Sequence, residues 1–374
     1  MISRTGAESL CRSLFEHAGV EVGGPHPWDI HVHDPRFWDR VLADRELGLG
    51  ETYQEGWWDV AALDQFIERV LQADLQSAVR PSPRLAATLA RAAVANRQTM
   101  RRARANASAH YDIGNDLFQA MLDPRMVYSC AYWRNADELN QAQEDKLDLV
   151  CRKLELAAGM RVLDIGCGWG GFARFAAERY GCSVVGITPA RNQYEVARAR
   201  TADLPVEIAA RDYREIRGDF DRIVSIGMLE HVGARNLGAF FHRCRELLTP
   251  DGSMLHHTIG SNESKNRTDP WFDRYIFPGG VIPSLAQLSR AAERHWAIED
   301  VHNFGPDYDR TLMAWHANVE AAWPHLDGYD QRFRRTWRYY LLASAASFRM
   351  RTLQLHQLVL RRARRPSEVY RPVR

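Results

Sequence analysis

The stretch at residues 160–171, M-R-V-L-D-I-G-C-G-W-G-G, constrains the fold of this chain more than any other. Its apolar run at residues 162–165 predicts a buried strand, and the glycines that follow turn the chain into a helix beginning near Phe172. Glycine lets the backbone approach a ligand closely, and a helix N-terminus presents free N–H groups. We therefore expect an adenosine-bearing cofactor at this turn.

The residues around the turn indicate which cofactor. The spacing of Gly166, Gly168 and Gly171 fits a dinucleotide fingerprint, which alone is a weak signal. Asp164, however, would repel a pyrophosphate, and the strand at residues 183–188 ends without the acid expected about 20 residues after the loop. A carboxylate favours a cationic cofactor, such as a sulfonium. A strand followed by Asp-x-Gly-x-Gly resembles the S-adenosylmethionine-dependent methyltransferases.

Strands and helices alternate beyond this turn. The predicted strands are residues 183–188, 206–210, 221–226 and 253–259, and the helices between them are residues 189–200 and 234–248. The alternation predicts an α/β fold, a Rossmann-like sheet of parallel strands with helices on both faces. Ligands of such sheets bind at the carboxyl ends of the strands. The polar residues predicted at that rim are Asp164, Thr188, Asp212, Glu230 and His257.

The region before the turn predicts a separate N-terminal domain at residues 1–105, mixed α/β or mainly helical. Its predicted elements are a strand at 28–32, helices at 38–42 and 60–71, a turn-rich stretch at 48–58 and a helical linker at 84–104. A catalytic domain would then span residues 106–374. Within it, Asp137 is placed to cap a helix that runs to residue 156, and a turn is predicted at 250–252.

The last third of the chain predicts an insertion and further regular structure. Residues 261–283 are polar and marked by prolines, and they suit a lid over the site. A strand is predicted near residues 296–301, and helices are predicted at 311–322 and 329–351.

Composition narrows the class of partner. The net charge of +2 does not indicate nucleic-acid binding, and no apolar run is long enough to span a membrane. The six cysteines lack the paired spacing of a metal site or disulfide framework, which fits a reducing cytoplasm. Arginines cluster at residues 97–104 and 361–374, and such clusters are attracted to anionic lipid headgroups.

Six short segments carry a more specific signal. They are residues 111–116, 128–133 (Y-S-C-A-Y-W), 164–171, 228–233 (M-L-E-H-V-G), 257–260 and 308–315. Together they closely resemble the cyclopropane-fatty-acyl-phospholipid synthase family, over about residues 110–358. The cofactor turn is common to many methyltransferases, whereas Y-S-C-A-Y-W and E-H-V-G are far more specific. Residues 1–105 resemble the additional N-terminal domain of the full-length bacterial members.

The resemblance implies a reaction. A methylene group passes from S-adenosylmethionine to the cis double bond of an unsaturated acyl chain on an intact phospholipid. The methylated chain becomes a carbocation, and loss of a proton from the added methyl group closes a cyclopropane ring. The family uses a bound bicarbonate ion as the base. By resemblance, the residues that hold it are Cys130, Glu230, His257, Ile259 (through its backbone) and Tyr308.

The resemblance also assigns contacts with S-adenosylmethionine. These residues are Tyr128, Ser129, Gly166, Gly168, Thr188, Gln193 and Asp212, with Asp212 accepting from the adenine amino group. We add Asp164, because its carboxylate would attract the sulfonium. Thr188 stands where many methyltransferases carry an acid for the ribose, and Gln193 is placed to compensate. Ser344 replaces a cysteine found in some members, which argues against an essential nucleophile there.

The substrate adds a physical requirement. A double bond about nine carbons from the ester lies deep in the bilayer, and exposing that length to water would cost roughly 7 kcal/mol. We therefore expect an apolar channel that faces the membrane, with Trp57, Trp58 and the flanking arginines docked on an anionic lipid surface. The expected protein is cytoplasmic, bound peripherally to the inner face of the membrane and, by resemblance, a homodimer.

Three other functions fit parts of the same pattern. One is a methyltransferase that leaves a branched acyl chain without a ring. Another is a small-molecule N-methyltransferase similar to the plant alkaloid enzymes, although the N-terminal domain and Y-S-C-A-Y-W argue against it. The third is a lipid-binding protein that has kept the fold without the activity.

Overall fold

The computed structural model describes residues 4–75 and 113–374 of the chain. The predicted linker helix at 84–104, the arginines at 97–104 and the predicted domain boundary at residue 105 lie outside these described residues. The first described segment, here called the N-terminal unit, contains α1 (Arg4–His17), β1 (His31–Val32), α2 (Phe37–Gln54), β2 (Trp58–Asp59) and α3 (Leu63–Gln72). β1 and β2 pair as a short antiparallel ribbon.

The second described segment holds the remaining elements. Its helices are α4 (Asn115–Met121), α5 (Leu139–Lys153), α6 (Gly171–Tyr180), α7 (Arg191–Arg200), α8 (Leu237–Leu247), α9 (Pro270–Tyr275), α10 (Leu285–Ala292), α11 (Pro306–Ala322) and α12 (Gln331–Arg349). Its strands are β3 (Arg161–Ile165), β4 (Ser183–Ile187), β5 (Val206–Ala209), β6 (Phe220–Ile226), β7 (Leu248–Ser261), β8 (Trp296–Asn303) and β9 (Leu353–Arg362).

One sheet of seven strands organises this segment, in the order β5-β4-β3-β6-β7-β9-β8. The first five strands are parallel, and β9 runs antiparallel between β7 and β8. Apolar side chains from both faces are buried, among them Leu163 on β3 and Val359 on β9, because helices cover a parallel sheet on both sides. The predicted Rossmann-like methyltransferase sheet is therefore confirmed. The sequence analysis did not predict β9.

Three local predictions are wrong. The turn at residues 250–252 is a bulge inside β7, since Phe220 pairs with Leu248 while Arg222 pairs with Ser253. The stretch at 48–58 is helical as far as Gln54, where α2 ends. The N-cap of α5 is Glu138, and the side chain of Asp137 is fully exposed.

The N-terminal unit packs directly on α12 and α9. Arg335 on α12 donates to Asp59 at 2.6 Å, and Arg349 donates to Asp64 at 2.9 Å. Gln54 joins both elements, accepting from Trp271 at 3.2 Å and donating to Thr336 at 2.6 Å. These contacts, of which the two made by Gln54 are buried, hold the unit against the helices that border the candidate site.

One expected lipid contact, that of Trp58, is corrected by this packing. Trp58 is fully buried, with its indole donating to the carbonyl of Leu49, so it cannot dock on a membrane. Trp57 is half-buried beneath the guanidinium of Arg36. Among the arginines at 361–374, Arg361 binds Glu155 and Arg374 binds Asp300, so their charges are partly neutralised within the protein. No helix of the described segments is long and apolar enough to cross a membrane.

Candidate active site

The turn after β3 builds a narrow cleft at the carboxyl ends of the strands. Gly166 and Gly168 take φ values of +87° and +54°, which side chains other than glycine rarely adopt. A Cβ at Gly168 would meet no atom within 4 Å, so the space above the turn is open to a ligand. A Cβ at Gly166 would lie 3.0 Å from Met228. The cleft has a volume of about 150 Å³, and we call it the cofactor cleft.

All eight residues predicted to bind S-adenosylmethionine line this cleft. They are Tyr128, Ser129, Asp164, Gly166, Gly168, Thr188, Gln193 and Asp212. Thr188 donates to Gln193 at 2.8 Å, which joins the two residues expected at the ribose. Asp212 caps the 3₁₀ turn at Tyr213–Glu215 and accepts from Arg214 at 2.7 Å. A carboxylate has about four acceptor sites, so Asp212 keeps capacity for a ligand amino group.

Asp164 carries the charge that a cationic ligand requires. Its side chain is buried, and Oδ2 has no hydrogen-bond partner among residues 4–75 and 113–374. Burial raises the pKa of this carboxyl to about 7, against the opposing attraction of the Lys146 ammonium. An unpartnered carboxylate oxygen at the cleft wall is costly unless a ligand uses it. Asp164 and the open glycine turn therefore fit a sulfonium cofactor.

Two buried polar residues of α5 support the cleft wall and were missed by the sequence analysis. Lys146 is fully buried and donates to the hydroxyl of Ser129 at 2.8 Å. Gln143 donates to the carbonyl of Ser129 at 2.9 Å. Burial lowers the pKa of Lys146 to about 8. The signal was present in the sequence, since both residues lie at helical spacing on the face that buries Leu147 and Val150.

A larger cavity of about 550 Å³ adjoins the cofactor cleft, and we call it the substrate cavity. Four of the five residues predicted to hold bicarbonate line it, namely Glu230, His257, Ile259 and Tyr308. The residues that line both spaces are Tyr128, Ser129, Gly227 and His231. A group in the cleft and a group in the cavity can therefore meet across this common wall.

Glu230 and His257 each keep a polar atom that the described residues leave unpaired. Glu230 accepts the backbone N–H of Ile259 at 2.6 Å through Oε1, while its buried Oε2 has no partner. Gln357 lies 3.2 Å from Nδ1 of His257, and the buried Nε2 has no partner. As the amide is oriented, Gln357 donates to Nδ1, so the imidazole proton is assigned to Nε2.

The ionisation of these groups follows from burial. Burial raises the pKa of Glu230. It lowers the pKa of His257 well below the usual value, with help from the charges of Lys146 and Lys153. His257 is therefore neutral at pH 7 and can donate through Nε2. A buried donor and a buried carboxylate in one cavity fit a small oxyanion that carries both lone pairs and a hydroxyl proton, such as bicarbonate.

Cys130 lies apart from the other four. It is fully buried, lines neither the cofactor cleft nor the substrate cavity, and its thiol donates to the carbonyl of Ala131 at 3.1 Å. Burial raises its pKa well above the usual value, so the sulfur stays protonated. Its expected contact with bicarbonate stays a prediction. Ser344, the residue that departs from the family, lines the substrate cavity.

Aromatic rings surround the wall between the two spaces. Tyr128 and Trp315 lie 5.2 Å apart, and Tyr308 lies 5.9 Å from the same indole. The hydroxyl groups of Tyr128 and Tyr340 hydrogen-bond at 2.7 Å. Such rings exclude water and offer negative π faces to a developing cation.

Comparisons with known proteins place these features in a family. The sequence model for the family described as mycolic acid cyclopropane synthetase matches residues 98–358. The chain is 47% identical to the cyclopropane-fatty-acyl-phospholipid synthase of Escherichia coli (strain K12), over 94% of this chain and 93% of that one. It is 32% identical to the tuberculostearic acid methyltransferase of Mycobacterium tuberculosis (strain H37Rv), over 96% and 90%.

A solved structure agrees with the fold. The structure of the mycolic acid cyclopropane synthase CmaA1, complexed with SAH and CTAB, aligns with a TM-score of 0.65 at 33% identity. The alignment covers 69% of this chain and 97% of that one.

Proposed function

The chain belongs to the mycolic acid cyclopropane synthetase family and is an S-adenosylmethionine-dependent methyltransferase, and we propose that it converts unsaturated phospholipid acyl chains into cyclopropane acyl chains. One observation carries the proposal. A cleft suited to a sulfonium shares a wall with a large cavity in which buried Glu230 and His257 retain unpaired polar atoms. An enzyme that joins a cationic donor to a lipid alkene needs this arrangement.

S-adenosylmethionine, when bound, supplies an electrophilic methyl group, and bicarbonate, when bound, supplies a base. Asp164 stabilises the positive charge of the donor, and the backbone at Gly166 and Gly168 lets it approach β3. Thr188, Gln193 and Asp212 hold its adenosine part, while Lys146 and Gln143 keep Ser129 in place. An alkene is a weak nucleophile, so orienting it against the methyl group lowers the activation barrier by about 7–11 kcal/mol.

The substrate cavity would stabilise the carbocation on the acyl chain and hold the base that removes its proton. Tyr128 and Tyr308, which line the substrate cavity, exclude water and stabilise the positive charge that develops on the acyl chain, and Trp315 packs against both rings. Glu230, the Nε2–H of neutral His257, Tyr308 and the backbone at Ile259 would hold the base close to the carbon that loses its proton. The family resemblance adds Cys130 to this set. The carbon that loses the proton decides whether the product is a ring.

The membrane and assembly assignments belong to the same proposal. The acyl chain would be drawn from an anionic membrane surface, with the enzyme bound peripherally on the cytoplasmic side, and the family suggests a homodimer. Flotation with anionic vesicles tests the first point, since an enzyme that stays at the bottom of the gradient does not bind them.

The test of the reaction is direct. Purified protein is incubated with S-adenosylmethionine and vesicles of unsaturated phospholipid, in buffer with and without bicarbonate. We expect acyl chains that gain one CH₂, ring proton signals in the NMR spectrum and a rate that falls when bicarbonate is removed. Acyl chains that stay unchanged while the protein binds S-adenosylmethionine would refute the proposal.

A branched product is the second candidate, because the tuberculostearic acid methyltransferase is 32% identical over 96% of this chain. It would give the same gain of CH₂ but no ring proton signals. A small-molecule N-methyltransferase would act on a soluble amine instead. A lipid-binding protein without activity would show no affinity for S-adenosylmethionine in calorimetry.

A further inference from the structure

A second cavity lies between the N-terminal unit and α12. Its volume is about 140 Å³, and we call it the side cavity. Hydrocarbon side chains of the N-terminal unit form most of its wall, including Leu14, Phe15, Leu42, Ile67 and Val70. An apolar cavity of about 150 Å³ is large enough to bind benzene, so this one holds about six carbons. The N-terminal unit lies outside residues 98–358, which the family model matches.

The side cavity is continuous with the substrate cavity. The residues that line both are Arg45, Glu46, Leu71, Asp269, Phe272 and Ser347. Three of these six carry charge, so the junction is polar while the side cavity beyond it is hydrocarbon. A ligand that fills both spaces therefore needs a polar part at the junction.

Arg45 is the cation at this junction, and its geometry is unusual. It interrupts α2 with φ 53° and ψ −125°, a conformation that is costly for any residue other than glycine. Such conformations concentrate at ligand sites, where the surrounding structure imposes them. Its Nε is buried with no hydrogen-bond partner in the described segments, and its guanidinium lies 3.7 Å from Glu46. Its Nε–H can bind a phosphate oxygen, and the guanidinium must then offset the negative charges of Glu46 and Asp269 at the same junction.

We propose that Arg45 binds the phosphodiester of the lipid and that the side cavity takes about six carbons of its second acyl chain, while the reacting chain enters the substrate cavity. This inference rests on the proposed function and adds how the intact diacyl lipid is held. Two chains diverge from one headgroup, which matches two spaces that meet at a charged junction. The methyl end of the reacting chain is a poorer occupant of the side cavity, because it would have to pass the charged groups of Arg45, Glu46 and Asp269.

The experiment compares three lipids that carry the same unsaturated chain in detergent micelles. They are a diacyl phospholipid, a lysophospholipid with one chain, and a monoacylglycerol without phosphate.

Ala343 lines the side cavity but not the substrate cavity, so Ala343→Leu fills the side cavity. Ala317→Leu, at an exposed site on α11, adds the same volume as a control. Arg45→Gln removes the cation, and Arg36→Gln is its control. Product formation is measured for each lipid, and lipid binding is measured by tryptophan fluorescence.

We expect Ala343→Leu to raise KM and Kd for the diacyl lipid about tenfold and to leave both values for the lysophospholipid unchanged. Arg45→Gln should raise them about tenfold for the two phosphate-bearing lipids and leave the monoacylglycerol unchanged. If Ala343→Leu loses affinity equally for the diacyl lipid and the lysophospholipid, the side cavity holds the reacting chain. If it loses affinity for neither, the side cavity holds no lipid. Either result overturns the inference.

Stability and function are separated in the same experiment. Val70→Phe fills the side cavity from α3, and it replaces Ala343→Leu if that variant unfolds at a lower temperature. If the wild-type protein binds the lipids but forms no product, the proposed function fails. The ratio of diacyl to lysophospholipid binding still decides the occupant of the side cavity in that case.

Discussion

Replacing Glu230 by glutamine tests whether its buried carboxylate is catalytic machinery or part of the core. The change keeps the shape and keeps an oxygen that can accept the N–H of Ile259, now 2.6 Å from Oε1. It removes the charge of this side chain from the substrate cavity. Groups that hold or stabilise charge in a transition state typically contribute factors of about 10²–10⁴ to the rate. We expect the turnover rate of Glu230→Gln to fall by about that factor.

The effect on stability should be small, and its size follows from the contacts. A hydrogen bond to a charged acceptor is worth about 1.5–3 kcal/mol and one to a neutral acceptor about 0.5–1.5 kcal/mol, so weakening the Ile259 contact costs about 1 kcal/mol. Removing a buried charge offsets part of that loss. We therefore expect the free energy of unfolding to change by less than about 1.5 kcal/mol.

The assay measures cyclopropane product by lipid analysis, S-adenosylmethionine affinity by calorimetry and unfolding by denaturant titration. Glu207→Gln, at an exposed position on β5, is the matched control. Affinity for S-adenosylmethionine should be the same in both variants, because Glu230 does not line the cofactor cleft. A Glu230→Gln protein that keeps more than about a tenth of the wild-type rate would refute the assignment, as would one that loses cofactor affinity in proportion.

Three further predictions concern the cofactor cleft. Protonation of Asp164, whose pKa burial raises to about 7, should weaken S-adenosylmethionine binding about tenfold per pH unit below that value and have no effect above it. Calorimetry that gives the same pH dependence for S-adenosylhomocysteine, which lacks the sulfonium charge, would contradict this. Lys146→Met should raise the KM for S-adenosylmethionine more than it lowers kcat, because Lys146 acts through Ser129. An equal effect on KM and kcat would mean that the variant is generally disordered, and Lys146→Arg should then fail to restore activity. Gly166→Ala should lower the free energy of unfolding by about 1–2 kcal/mol, from its φ of +87° and the nearby Met228; an unchanged denaturation midpoint would show that the turn relaxes freely.

The strands of the cofactor half were predictable because their signals are local. Apolar runs bounded by glycine and proline gave β3, β4, β5 and β6 to within a residue or two. The five rim residues followed from the rule for parallel sheets: Asp164, Thr188 and Asp212 line the cofactor cleft, and Glu230 and His257 line the substrate cavity. Local patterns are enough to predict a strand when its own residues form an apolar run.

The misses have long-range causes. The helical spacing of Gln143 and Lys146 indicates a buried face, but only Ser129 in the folded chain shows which groups their polar atoms bind. Residues 48–54 look like a turn because of Gly48 and Gly50, yet they are helical because Trp271 packs against Gly50 and leaves no room for a side chain. Trp58 was assigned to a membrane because exposure cannot be judged from a residue type alone. Residues 353–360, L-Q-L-H-Q-L-V-L, are rich in apolar residues, yet the place of β9 between β7 and β8 depends on pairing with segments that are distant in sequence.

The position of β9 has a consequence for biosynthesis. β7 carries His257, and the edge of β7 that pairs with β9 must wait until Leu353–Arg362 has left the ribosome. At a synthesis rate of about 5–20 residues per second, that delay is several seconds. During this time β7 presents an unpaired, apolar edge, which is a template for association with other nascent chains. The strand β7 is therefore a segment of the nascent protein at which we expect a chaperone to bind.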